Sequence, residues 1–211
     1  MILIRLGGKL TMSVIAEYLT TISPNATTEP HLYPIDVTTY HRMGEVGILT
    51  PGERTELIDA RIMTMVPIGS EHADWVDHLA RFFIKIIPED ITVHIQNPVH
   101  LDEYNEPQPD IALLRPREQP YREAHPCAED VLLIIEVVGT SLNYDRQVKV
   151  PLYARYGIAE VWLLDIRGNC LEIYQDPYED NYRLMLKPRR YERIAPMKLA
   201  AIEIDLSSFM K

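Results

Sequence analysis

Only two cysteines, Cys127 and Cys170, occur in the 211 residues, and they form neither a CxxC pair nor a zinc-ligand spacing. That excludes a disulfide-stapled secreted scaffold and leaves two reduced thiols, as expected of a cytoplasmic protein. No stretch approaches the ~20 consecutive apolar residues of a membrane span, so no membrane partner is expected. Cations are scarce: 21 Lys and Arg stand against 31 Asp and Glu, a net charge of −10. Indiscriminate coating of nucleic acid depends on many phosphate-neutralising cations, so that class is excluded, whereas an enzyme touching DNA at one cleft is not. The sequence also lacks a helix-turn-helix, a zinc finger, an aromatic stacking platform and an internal repeat. Nothing in it therefore names a DNA sequence.

What is present suits one domain with one sizeable core, since 46% of the residues are hydrophobic. The first residues, MILIRLGGKLTMSVIAEYL, resemble a signal peptide only faintly, because Gly7, Gly8, Lys9 and Glu17 interrupt the apolar run. They read as a leader, with Met12 as an alternative start. Residues 1–37, Thr- and Pro-rich from residue 20, are expected to form a flexible arm, and 38–211 a single domain. Thr38 or Thr39 is placed to cap a short helix ending at Gly44. Residues 55–59 and 61–66 predict a hairpin turning at Asp59-Ala60. A helix is predicted from Ser70 to Ile87, with Trp75, Val76, Leu79, Phe82, Phe83 and Ile86 on one stripe. Strands follow at 91–96, 110–114, 131–138 and 160–166, then a hairpin through 170–175 and strands near 182–187 and 190–194. The 144–156 stretch is helical, with Pro151 expected to kink or divide it. The order predicts an α/β fold with a mixed central sheet flanked by helices and additional β-hairpins.

Glu136 needs the most explanation. It lies inside VLLIIEVV (131–138), where an unpaired carboxylate would cost several kcal/mol. Either a buried Arg or Lys pairs with it, or a metal does. Asp110 follows Pro109 at the start of another strand. If the two strands pair, the carboxylates come within ~5 Å and favour a divalent cation between them; a plain Pro-Asp turn is the alternative. Lys149 lies on the next helical stretch, one turn before Tyr153, where it could orient a water or simply be solvated. His72 falls on the apolar helix stripe, where a core histidine bonded to a backbone carbonyl is the commoner outcome and a catalytic or phosphate contact the alternative. The RLMLKPRRYER segment carries Arg183, Lys187, Arg189 and Arg190, which read as a phosphate track or as a charged edge strand that resists aggregation.

These residues sit in segments that together resemble the Uma2 (DUF820) family, restriction endonuclease-like proteins of the PD-(D/E)xK nuclease superfamily. The segments are GILT (47–50), ELIDA (56–60), PIGSEHA (67–73), QNPV (96–99), EPQPDIALLRP (106–116), HPCAEDVLLIIEV (125–137), SLNYDRQVKVPLYARYGI (141–158) and EVWLLD (160–165). They cover some two thirds of the chain, from about Tyr40 to Tyr174. The resemblance implies that Pro109-Asp110 and Glu136 are the superfamily's acidic residues and that Lys149 takes the lysine's role from the following helix, since Val138 stands at the usual lysine position. It implies a restriction endonuclease-like fold and a metal-dependent endonuclease acting on DNA. Mg²⁺, or Mn²⁺ in its place, would be held by Asp110, Glu136 and the Val137 carbonyl. Glu56 is implied as an auxiliary acid, against a solvent-facing strand position. Two departures stand out: Ala60 replaces a turn glycine, and Gly139 stands where members often carry an acid. A non-cleaving module that keeps the fold for nucleic-acid or protein binding is the competing reading. A homodimer is expected, one site for each DNA strand, through the arm before Thr38 and the strands after Cys170.

Overall fold

Six strands form the central sheet, and their order places the apolar VLLIIEVV run in its interior. A computed structural model describes residues 32–50, 52–118 and 121–210. Most of the expected arm, residues 1–31, lies outside the described residues. From Pro34 onward the described residues form one compact unit.

The unit opens with α1 (Val37–Glu45), capped by Asp36, whose side chain accepts from the Thr39 N–H at 2.6 Å. The expected cap at Thr38 or Thr39 is thus corrected. An aspartate two residues earlier reaches the free amide, and Val37 and Tyr40 already point into a small core with Leu57.

The hairpin β1 (Thr55–Ile58) and β2 (Arg61–Thr64) turns at Asp59-Ala60, where both residues have positive φ, 46° and 61°. Ala60 takes the left-handed conformation despite its Cβ, so the hairpin forms although alanine stands where the turn glycine was expected. Asn105 Oδ1 accepts from Asp59 N–H at 2.7 Å, the Ala60 carbonyl accepts from Ile35 N–H, and the Ala60 N–H donates to the Tyr104 carbonyl. Those bonds hold a turn that costs roughly 1–2 kcal/mol in strain.

Helix α2 (Ser70–Ile86) buries Trp75, Val76, Leu79 and Phe83 of the predicted stripe together with Ala80, and leaves Phe82 and Ile86 partly buried. It packs on one sheet face against Leu113, Leu133, Ile135 and Trp162. At about 1.5–3 kcal/mol for each large side chain buried, this stripe anchors the helix that carries His72.

The sheet runs β3 (Thr92–Ile95), β4 (Ile111–Leu114), β5 (Val131–Val138), β6 (Glu160–Asp165), β7 (Cys170–Tyr178) and β8 (Asn181–Leu186). Only β5 and β6 are parallel. Their crossover is helical and covers the other sheet face: α3 (Leu142–Tyr144), a π-turn (Asp145–Lys149) and α4 (Val150–Arg155). The expected break at Pro151 is instead a widened turn just before it, in which Val150 N–H bonds the Asp145 carbonyl. Proline has no N–H for the preceding turn, and such widened turns concentrate at functional sites. Strands β9 (Arg193–Ile194) and β10 (Ile204–Asp205) pair with each other, and α5 (Leu206–Phe209) ends the unit.

Candidate active site

Antiparallel pairing of β4 with β5 sets Ile111 opposite Ile135, which brings Asp110 to Glu136 at the strand ends. The Asp110 N–H faces Glu136 Oε2 at 3.3 Å, and the Val137 N–H donates to Asp110 Oδ2 at 2.9 Å. From the crossover, Lys149 Nζ reaches Glu136 Oε1 at 2.8 Å and Glu56 Oε2 at 3.4 Å. Tyr153, one turn further on, donates its hydroxyl to Glu136 Oε1 at 2.6 Å. Asp110 is held from the opposite side by His72 Nε2 and Gln96 Nε2, each at 3.0 Å. Glu56 is buried, not solvent-facing; Gln108 N–H and the Tyr144 hydroxyl donate to it. His72 Nε2 meets the Asp110 carboxylate, and the ring also has a Val137 backbone partner of the kind expected for a core histidine.

Glu56, His72, Asp110, Glu136, Tyr144 and Lys149 border one cavity of about 590 Å³, which Val137, Gly139 and Asp145 also line, while Tyr153, Gln96 and Gln108 support it from behind. Residues 37–207 match the Uma2 family, described as "Putative restriction endonuclease". The chain belongs to the Uma2 family. The Uma2 fold is also recognisable in a crystal structure of a "putative nuclease belonging to DUF820" from Anabaena variabilis. That structure is 12% identical, with a TM-score of 0.62 over 83% of this chain and 97% of its own. No curated protein matches the chain.

The electrostatics of this Uma2 cavity are dominated by buried carboxylates. Burial pushes Glu136 up to about 8; Lys149 pulls it down, while Asp110 and Asp145 push it further up. Burial would also raise Asp110, but its bonds from His72, Gln96 and the Val137 N–H outweigh that and hold it below its ordinary value. The Asp110 bond in turn raises His72. Burial raises Asp145, one of whose oxygens is buried without a hydrogen-bond partner. Burial works to lower Lys149, yet Glu136 and Glu56 lift it well above its usual value, so it stays an ammonium.

A hard divalent cation takes oxygen ligands, chiefly carboxylates and backbone carbonyls. The Asp110 and Glu136 carboxylates, with the orphaned Asp145 oxygen in the same cavity, fit that requirement.

The basic segment is not brought to this cavity. Arg183 pairs with Asp176 and stacks on Tyr178, and Lys187 pairs with the buried Glu172 at 2.6 Å. Arg189 bonds the Tyr191 hydroxyl, and Arg190 the Met210 carbonyl. The cations that do line the cavity besides Lys149 are Arg54 and Arg167. Sequence reasoning missed Arg54, Gln96, Asp145 and Tyr153 as site residues. Asp145, Lys149 and Tyr153 recur every four residues, a same-face helical signal that could have gathered two of them.

Proposed function

We propose that the chain is a divalent-cation-dependent endonuclease hydrolysing DNA phosphodiester bonds, with Mg²⁺ as the cation and Mn²⁺ able to replace it. One observation carries the reading. Among the described residues, four buried carboxylates (Glu56, Asp110, Glu136 and Asp145) border one cavity whose only buried cationic side chain is Lys149. One lysine cannot balance four buried acids, so the remaining negative charge is offset by a proton, as the raised Glu136 allows, or by a bound cation. Membership of a nuclease family supports the reaction class.

Asp110, Glu136 and the Val137 carbonyl would hold the cation, with Asp145 as a further donor. Bound there, it would supply Lewis acidity and charge neutralisation to a phosphodiester. Lys149, fixed between Glu136 and Glu56, is placed to orient the attacking water and offset charge developing on phosphorus. Tyr153 fixes the Glu136 carboxylate, and His72 with Gln96 fixes that of Asp110. Arg54 has a buried Nη2 without a partner and lines the cavity, which suits a phosphate of the substrate strand.

Nicking of supercoiled plasmid tests this. Wild type cuts with Mg²⁺ or Mn²⁺ and stops on chelation, and Asp110→Ala does not cut. A non-cleaving binding module would leave the plasmid intact under every metal.

A further inference from the structure

The 105–110 segment also carries Glu106, the centre of a second cluster that the nuclease reading does not use. Glu106 is only 2% exposed, and its backbone is fixed by a two-way pairing with Leu57 of β1. Its two carboxylate oxygens face imidazoles. His41 Nε2 stands 2.6 Å from Oε1, and His100 Nδ1 stands 3.6 Å from Oε2. His125 closes the group, its ring edge-on to that of His41 with centroids 6.1 Å apart. Ligand-capable atoms of His41, Glu106 and His125 all lie within 4.8 Å of one another. These side chains line a surface cavity of about 440 Å³.

A buried glutamate needs one good donor, and His41 alone would provide it. That need leaves the convergence of His100 and His125 unexplained. Imidazole with a single carboxylate is a donor set for a borderline-soft transition metal, whereas Mg²⁺ prefers oxygen ligands only. Both His41 and His100 are part-exposed, which gives an ion a path from solvent.

We propose that His41, Glu106 and His125 form a Zn²⁺-class site, with His100 as the fourth ligand, distinct from the carboxylate cavity. The ligands come from four places: α1, the loop after β3 that carries His100, the segment leading to Asp110, and the loop before β5. One ion would tie them together. Glu106 pairs with the strand carrying Glu56 and precedes Asp110 by four residues, so the ion would brace the backbone that presents both acids. Its role would be structural. The inference is independent of the proposed nuclease activity.

Zinc titration of the chelator-treated full chain, followed by calorimetry in excess Mg²⁺, tests it. One zinc site is expected, unaffected by Mg²⁺ and retained by Asp110→Asn. His41→Ala and His125→Ala, both at exposed positions, should each weaken it by at least about tenfold. Co²⁺ in place of zinc should give visible ligand-field bands that vanish in the His41→Ala/His125→Ala double variant. Three results would overturn the proposal: no zinc uptake, equal uptake by the double variant, or uptake lost only in Asp110→Asn, which would put the ion in the carboxylate cavity.

Discussion

Replacing Lys149 by methionine keeps the unbranched stem in its packed position and deletes only the charge. The ammonium lies 2.8 Å from one Glu136 oxygen and 3.4 Å from one Glu56 oxygen, and the residue is 2% exposed. At an effective dielectric of ~20 each contact is worth roughly 5 kcal/mol of gross attraction. Much of that is recovered, because Glu136, already at about 8, takes a proton once the lysine is gone. Losing one partner of a buried pair typically costs about 3–5 kcal/mol. We expect ~3 kcal/mol at pH 8 without divalent cation, which for a chain of this length is a fall in Tm of roughly 6–12 °C. The sign with pH follows from the raised pKa. A carboxyl whose folded pKa exceeds its unfolded 4.5 adds stability as pH falls through about 8, and that gain is complete below 4.5. Loss of Lys149 raises that pKa further, so below pH 8 variant and wild type gain alike and the deficit of Lys149→Met stays nearly level to pH 5, whereas it should widen as pH rises above about 8. Millimolar Mg²⁺ or Mn²⁺ should shrink it, by replacing the missing countercharge. Circular-dichroism melts across that grid decide the matter. A variant melting within a degree of wild type at pH 8 in chelator would show that Lys149 is not the countercharge of this site.

Ala60→Gly should raise stability by roughly 0.5–1 kcal/mol, because relief of the positive-φ strain exceeds the added chain entropy; an unchanged or lower Tm would refute the strain. Burial works to raise the Glu172 pKa, but Arg146, Lys187 and Tyr174 outweigh it and hold it at about 2, so its contribution to stability is lost as pH falls from 4.5 towards 2. Glu172→Gln should flatten the wild-type stability slope in that window, as acid titration of melts would show. Strand β8 is a sheet edge with Leu184, Met185 and Leu186 all about half exposed, which supports pairing between two copies. Sedimentation at micromolar protein should give the mass of two chains, and Leu184→Lys with Leu186→Lys the mass of one; a concentration-independent wild-type monomer refutes the dimer.

The parts legible in the sequence were those with a short period or a local contradiction. The α2 stripe has the 3.6-residue period, and a glutamate in an all-aliphatic strand announces itself whatever surrounds it. Asp110 became meaningful only through the pairing of two strands that each carry one carboxylate. Lys149 stood out only as a cation on the helical stretch after the Glu136 strand, with solvation as the alternative, and the resemblance gave it its role. The partners of these residues were harder to see. Gln96 meets Asp110 through a positive-φ position outside any strand, and Arg54 faces the cavity from the hairpin entry. Neither contact leaves a local pattern. The basic segment misled for the same reason: its spacing suggests a track, but its partners, Glu172 and Asp176 among them, are fixed by β7–β8 pairing. His41, Glu106 and His125 are 65 and 19 residues apart, so only the fold brings them together.

The central claim is that the buried acids and Lys149 form one hydrolytic site on DNA. Single-turnover cleavage measured beside DNA affinity, for wild type and Lys149→Met in Mg²⁺ below the variant's Tm, tests it most directly. The account predicts that wild type cuts, that the variant loses at least about a hundredfold in rate, and that affinity changes by less than about threefold. Wild type that cuts under no divalent cation, or a variant that cuts at the wild-type rate, would contradict it.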